Sequence, residues 1–157
     1  MSARILIVDD HDVVRQGVRS ILSDRSDWEI CGEVGSGEAA IQAAATLKPD
    51  VVILDITMPG MSGLEAASRI VAFAPGIRIL IFTMHESQLL ADNVREAGAH
   101  GYVQKSQAGR DLIVAVERLL SGDTFFGPES EAKPKRKKAS NSAANSASSC
   151  FRALCFA

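Results

Sequence analysis

Val51-Val52-Ile53-Leu54-Asp55 runs directly into Ile56-Thr57-Met58-Pro59-Gly60-Met61-Ser62-Gly63. Four consecutive aliphatic residues suit a strand covered on both faces, as in the interior of a parallel sheet. A single carboxylate ends that run. Ser62 then opens a helical pattern through Leu64, Ala67 and Ile70-Val71, which stops before Pro75.

The same strand-then-helix alternation recurs on both sides. Ile5-Leu6-Ile7-Val8 and Ile77-Arg78-Ile79-Leu80-Ile81-Phe82 are further apolar runs, and Gly101-Tyr102-Val103 is a short one. Glu29-Ile30-Cys31-Gly32-Glu33-Val34 alternates and reads as an edge strand. Between the runs lie helical stripes. Val13-Val14, Val18 and Ile21-Leu22 follow an Asp12 read as N-cap. Ala39-Ala40, Ala43-Ala44 and Leu47 follow Ser36 as cap and stop at Pro49. Leu89-Leu90, Val94 and Ala97 end at Gly98, and Leu112-Ile113, Val116 and Leu119-Leu120 end at Gly122. Five such repeats predict an α/β fold: a doubly wound, five-stranded parallel sheet with helices on both faces.

Residues 1–127 are expected to form this domain. They carry 11 Lys and Arg against 17 Asp and Glu, a net charge of −6 that argues against nucleic-acid binding by the folded body. Residues 128–157 carry 6 basic against 2 acidic residues and change character. A proline-broken charged stretch is followed by an Ala/Ser/Asn-rich one, so a disordered tail is expected. Cys31, Cys150 and Cys155 lack metal-type spacing, and Cys31 is expected to act as a small buried hydrophobe. No apolar run approaches the ~20 residues of a membrane helix, and no export signal precedes the first strand, so a cytoplasmic protein with no membrane contact is expected.

Function in a doubly wound sheet gathers outside the carboxyl ends of its strands. The first strand delivers Asp9-Asp10 there, the third Asp55, the fourth Thr83 and the fifth Lys105. Clustered carboxylates do not all stay ionised without a cation, and hard oxygen donors suit Mg2+. Asp9 and Asp10 would hold the ion, and Asp55 would complete the site while offering its other oxygen as a nucleophile. Lys105 would pair with Asp55 and later with a transferred phosphoryl group, and Thr83 would donate a hydrogen bond to that group. Any one of these residues alone reads as a cap or a surface charge. Their convergence on one sheet edge favours chemistry.

Val8-Asp9-Asp10-His11, Leu54-Asp55 with its Thr57-Met58-Pro59-Gly60 loop, Phe82-Thr83-Met84 and Gly101-Tyr102-Val103-Gln104-Lys105 resemble response-regulator receivers of two-component systems. The resemblance covers residues 4–121. Asp9-Asp10-His11 followed by Val14-Arg15-Gln16-Gly17 is similar to the nitrate-response and nitrogen-fixation regulator branch, whose members carry a helix-turn-helix output domain. The resemblance implies a flavodoxin-like strand order 2-1-3-4-5, Asp55 as phosphoryl acceptor and a sensor histidine kinase as donor. It also implies the backbone carbonyl of Thr57 as a further Mg2+ ligand. Switching would run through Thr83 and Tyr102, the latter swinging inward; Tyr102 also reads as an ordinary half-buried strand aromatic. His11 and His85 are expected to border the site rather than ligate, and Thr57, Met84 and His85 sit where residues tune phosphoryl lifetime.

There are departures. Ser106 follows Lys105 where many receivers have a cis proline, so no cis bond is presumed. Nothing after Gly127 resembles a helix-turn-helix, and the run from Lys133 to Lys138, with five basic residues, suits only non-specific contact with phosphates. The tail from about Ala139 reads as an out-of-frame remnant of a lost output domain. The leading function is therefore a phosphorylation switch acting through partners or homodimerisation. It is not an enzyme beyond its own phosphorylation and dephosphorylation. The alternatives are a DNA-binding transcription regulator that has lost its output domain, with specific DNA binding not expected of this chain, and a phosphohydrolase. The last lacks a second Asp at position 57.

Overall fold

The computed structural model describes residues 2–84 and 87–126. The expectations for the tail, for Cys150 and Cys155 and for His85 fall outside these residues. Within them the chain forms β1 (Ala3–Val8), α1 (Asp12–Leu22), β2 (Trp28–Val34), α2 (Gly37–Leu47), β3 (Val51–Asp55) and α3 (Gly63–Phe73). It continues through β4 (Arg78–Thr83), α4 (Gln88–Glu96), β5 (Gly101–Gln104), a short 3-10 turn over Lys105–Gln107 and α5 (Ala108–Leu120). The five strands pair in parallel in the order β2-β1-β3-β4-β5, as the strand and helix pattern and the family resemblance predict.

Alternation along the strands builds two cores. Leu6, Val8, Val52, Leu54, Ile79 and Ile81 face the side covered by α2, α3 and α4. Ile5, Ile7, Val51, Ile53, Leu80 and Phe82 face α1 and α5. β2, at the edge, is only half-buried. Its register against β1 slips between Ile5 and Leu6, where Cys31 is the extra residue. Cys31 packs against the core, and burial pushes its thiol pKa up, consistent with a hydrophobic role.

Ser36 and Ser62 cap their helices, accepting from the backbone N–H of Ala39 and Glu65. Asp12 does not cap α1. His11 holds the cap position with no side-chain hydrogen bond to the helix, and Asp12 lies one residue inside the helix. There its charge complements the helix N-terminus and pairs with Arg15. Among the described residues no peptide bond is cis, the one after Lys105 included.

Two features have no counterpart in the sequence reading. Past α5 the chain turns at Gly122 (φ +95°) and returns to β5, where Phe125 forms a parallel bridge with Gly101. At the opposite end of the β4–β5 pair from Thr83, His100 works as a piece of strand. Its Nδ1 accepts from the N–H of Ile79 at 2.9 Å, and its own N–H donates to the Ile79 carbonyl at 2.9 Å. The imidazole must therefore be neutral at Nδ1.

Burial, and secondarily Arg78, lowers the His100 pKa below its ordinary 6.5. The unfolded chain then binds the proton more readily, so the stability His100 contributes is present above pH 6.5 and is lost as pH falls through the depressed folded value. The urea midpoint should fall between pH 7.5 and 5.5, and His100→Gln should flatten that part of the profile. Parallel profiles for the two proteins would rule His100 out as the cause.

Candidate functional site

Asp9, Asp55 and Thr83 are the three buried polar residues among those described, 1%, 3% and 1% exposed. They lie at the carboxyl ends of neighbouring strands. Asp9 follows β1, with its N–H donating to the Val34 carbonyl. Asp55 closes β3 in register with Phe82, and Thr83 closes β4 in register with Gln104. The aliphatic residues before each one fix the strand, and the change to a polar side chain comes where the covering helices leave the sheet edge open.

Lys105 reaches this edge from the 3-10 turn after β5. Its Nζ lies 2.8 Å from Asp9 Oδ2 and 3.3 Å from Asp55 Oδ1. The side chain is 12% exposed, so this is a nearly buried pair of carboxylates sharing one ammonium. The predicted Lys105–Asp55 pair is present, but Asp9 is the closer partner. Thr57 approaches Asp55 through its backbone N–H, 3.4 Å from Oδ1.

The mouth of the site is more crowded than the sequence suggests. Asp9, Asp10, His11 and Asp55 each present one potential ligand atom, all within 4.8 Å of one another. The His11 Nδ1 stands 3.2 Å from both Asp9 Oδ1 and Asp10 Oδ1, and its backbone N–H donates to Asp9 Oδ1 at 2.9 Å. His11 thus joins the cluster it was expected only to border. Arg15 braces it from behind by donating to the Asp9 carbonyl. Gly63 closes it from the other side, since a Cβ there would overlap the Asp55 carbonyl oxygen. Tyr102 lies half-buried on β5, edge-on to Phe126 with ring centroids 6.1 Å apart.

Burial first, and the charge of Asp9 second, raise the Asp55 pKa above its ordinary 3.8, while Lys105 and the Thr57 N–H pull it back. The buried atoms Asp9 Oδ2 and Asp10 Oδ1 accept no hydrogen bond and have only charge partners. Crowded, under-satisfied carboxylate oxygens are the donor set that suits a small divalent cation such as Mg2+, so the residues present fit one.

A protein-family model described as the response regulator receiver domain matches residues 5–117. The chain is 35% identical over 126 residues to the response regulator GacA of Pseudomonas viridiflava, a match covering 80% of this chain and 59% of that protein. It therefore spans about three-fifths of the length of such a relative. The crystal structure of a LuxR-family two-component response regulator from an Aurantimonas strain superposes with TM-score 0.78 at 38% identity, covering 82% of this chain and 92% of that one. The isolated receiver domain of RcsB from Salmonella enterica, solved with the phosphomimetic BeF3−, gives TM-score 0.75 at 27% identity, covering 82% and 95%.

Because the folded state raises the Asp55 pKa, it prefers the neutral carboxyl, and stability falls as pH rises through the folded value. Asp55→Asn should therefore raise the Tm of the metal-free protein by a few degrees at pH 7, an advantage that shrinks toward pH 4. Added Mg2+ should stabilise the wild type more than the variant. Thermal melts with and without the ion decide it, and an unchanged or lower Tm for Asp55→Asn would show that the buried carboxylate costs nothing.

Proposed function

The chain belongs to the response regulator receiver domain family of two-component systems, and from that premise we propose that Asp55 is its phosphoryl acceptor. The observation that supports this most directly is the placement of one buried carboxylate, Asp55, beside a second carboxylate and a shared ammonium. In this reading the donor is the phosphohistidine of a sensor histidine kinase, and a Mg2+ ion is held by Asp9, Asp10, Asp55 and the Thr57 carbonyl. When bound, the ion supplies positive charge against the phosphoryl oxygens.

The chain's own residues do the rest. An Asp55 carboxylate oxygen attacks phosphorus, a P–O bond forms and the P–N bond to the donor imidazole breaks. The leaving nitrogen keeps the electron pair and takes up a proton. A carboxylate nucleophile needs no general base. Lys105, held between Asp9 and Asp55 at rest, follows the charge onto the phosphoryl oxygens. Thr83, at the end of the neighbouring strand, donates its hydroxyl to the same group, and Tyr102 moves inward as Thr83 shifts. The transfer selects between two packings of the α4–β5 side.

The product is an acyl phosphate that water removes slowly, so the cycle is self-modification rather than turnover of an outside substrate. Thr57 stands where a phosphohydrolase of the aspartyl-phosphate type would need its second carboxylate. Output passes to partners or to a second copy of the chain, in the cytoplasm. No helix among the described residues is long and apolar enough to cross a membrane.

A small phosphodonor with Mg2+ should add one phosphoryl group to Asp55, seen by intact-protein and peptide mass spectrometry and absent without the ion. Asp55→Asn should abolish the modification, and Lys105→Ala should slow it by roughly 10²-fold. Modification of Asp55→Asn at the wild-type rate would move the acceptor elsewhere.

A further inference from the structure

The segment that leaves α5 forms a strap along the outer edge of β5, and it ends on Tyr102. Arg78, at the start of β4, latches the exit by donating to the carbonyls of Leu119 at 3.0 Å and Asp123 at 2.7 Å. Beyond that latch, the N–H of Phe125 donates to the His100 carbonyl at 3.1 Å, and the N–H of Tyr102 donates to the Phe125 carbonyl at 2.9 Å. The two aromatic residues then alternate as strand residues do. Phe125 enters the core under α1 and α5, and Phe126 enters the core under α2, α3 and α4. Gly101 is required for this approach, because a Cβ there would overlap the Phe125 carbonyl oxygen.

Phe126 is the contact that matters for switching. Its ring, in a residue only 9% exposed, meets the Tyr102 ring edge-on at 63°, and the Arg95 guanidinium of α4 stands 4.0 Å from its centroid. Phe126 is thus held between α4 and Tyr102, the two parts of the molecule that the receiver reading sets in motion. The matched family region ends at residue 117, so Phe125 and Phe126 lie outside it while Arg95 and Tyr102 lie within.

We propose that the strap at Phe125-Phe126 is a readout of the phosphorylation state: it is closed while Tyr102 faces outward and opens when Tyr102 turns inward. The inference rests on the reading of Asp55 as acceptor and Tyr102 as switch. Its logic is geometric. An inward turn removes the edge-to-face partner of Phe126, and a shift of α4 removes the cation from its other face. The strap then keeps its two backbone hydrogen bonds, the Arg78 latch and the apolar packing of its two rings, and is held less firmly than before. Opening leaves the β5 edge unpaired, a row of backbone groups ready for another strand. Coupling of this kind is reciprocal, so loosening the strap must favour the phosphorylated packing.

Amide hydrogen exchange on the full chain tests this, with and without beryllofluoride and Mg2+. Loading at Asp55 is followed separately by fluorine resonance and by its loss in Asp55→Asn. With loading confirmed, the amides of Tyr102 and Phe125 should exchange about tenfold faster, the size expected for losing one ring contact and one cation–π contact. Those of Ile53 and Leu80 should not change. Phe126→Ala should exchange fast in both states and bind beryllofluoride tighter by a similar factor. Arg95→Gln, at an exposed position that leaves the core intact, should give a smaller rise in the unloaded state, which keeps the test open should Phe126→Ala fold poorly. Confirmed loading with unchanged exchange at Tyr102 and Phe125 overturns the strap and leaves the acceptor reading standing. Failure of beryllofluoride to load at Asp55 overturns both.

Discussion

Two carboxylates share one ammonium at the carboxyl edge of the sheet, and the rest of the site is arranged around that imbalance. Asp9 and Asp55 are buried and Lys105 is nearly so, leaving one positive charge for two negative ones in a place with little water. Removing ions from water costs several kcal/mol each unless geometry and hydrogen bonds compensate. Here the compensation is partial by construction. Asp9 has the closer ammonium and a hydrogen bond from the His11 N–H. Asp55 has the longer ion pair and a long contact to Thr57, so it is the carboxylate whose ionised form is the less well supported. A cation at Asp9, Asp10 and Asp55 would relieve that deficit, and a group that carries more oxygen acceptors would engage the donors more fully than the bare carboxylate can.

The sheet makes this economical. Because side chains alternate, each strand gives residues to both cores until its last position, and the final polar residue appears where neither helical layer covers it. Asp55 and Thr83 are the last residues of the neighbouring interior strands β3 and β4, held in register by three aliphatic pairs before them. Their separation is therefore fixed by backbone hydrogen bonds rather than by flexible loops. Lys105 comes from a 3-10 turn instead, and its longer side chain can follow charge from one oxygen to another. Rigid acceptors beside a mobile donor are what a site of variable occupancy requires.

Much of this was legible from local pattern. Aliphatic runs ending in Asp9, Asp55 and Thr83 gave the strands and the edge on which they open, and Ser36 and Ser62 announced two helix starts through a hydroxyl that accepts a backbone N–H. The failures were of a different kind. Asp12 looked like a cap because a cap and a first-turn acid differ by one residue, and His11 takes the cap position without a side-chain bond to the helix. Ser87 caps α4 by accepting from the Leu90 N–H, yet the reading of that helix took account only of its apolar stripe. His100 standing in for strand backbone, Gly63 pressed on the Asp55 carbonyl and Phe125 bridging to Gly101 are contacts between segments remote in sequence or set by backbone approach. No periodicity reports them. A glycine demanded by a neighbour 24 residues away looks like any other glycine.

The non-local contacts also say where a change at Asp55 can be felt. Two close-packed aliphatic cores on the sheet leave few alternative side-chain arrangements in the interior. Movement is easier where packing is incomplete and groups are half-exposed, and in this molecule those conditions meet at Tyr102. It sits on the outermost strand, paired with Ile81 two residues before Thr83, with the buried Phe126 ring edge-on to it and Arg95 over that ring. On the proposed reading, a change at Asp55 would have a short route to the sheet's margin: one strand from Asp55 to Thr83, and one more to Tyr102. On the proposed reading, such a receiver would not need to deform its core to report its state; a change in the packing of Tyr102 against Phe126 at the edge strand would suffice.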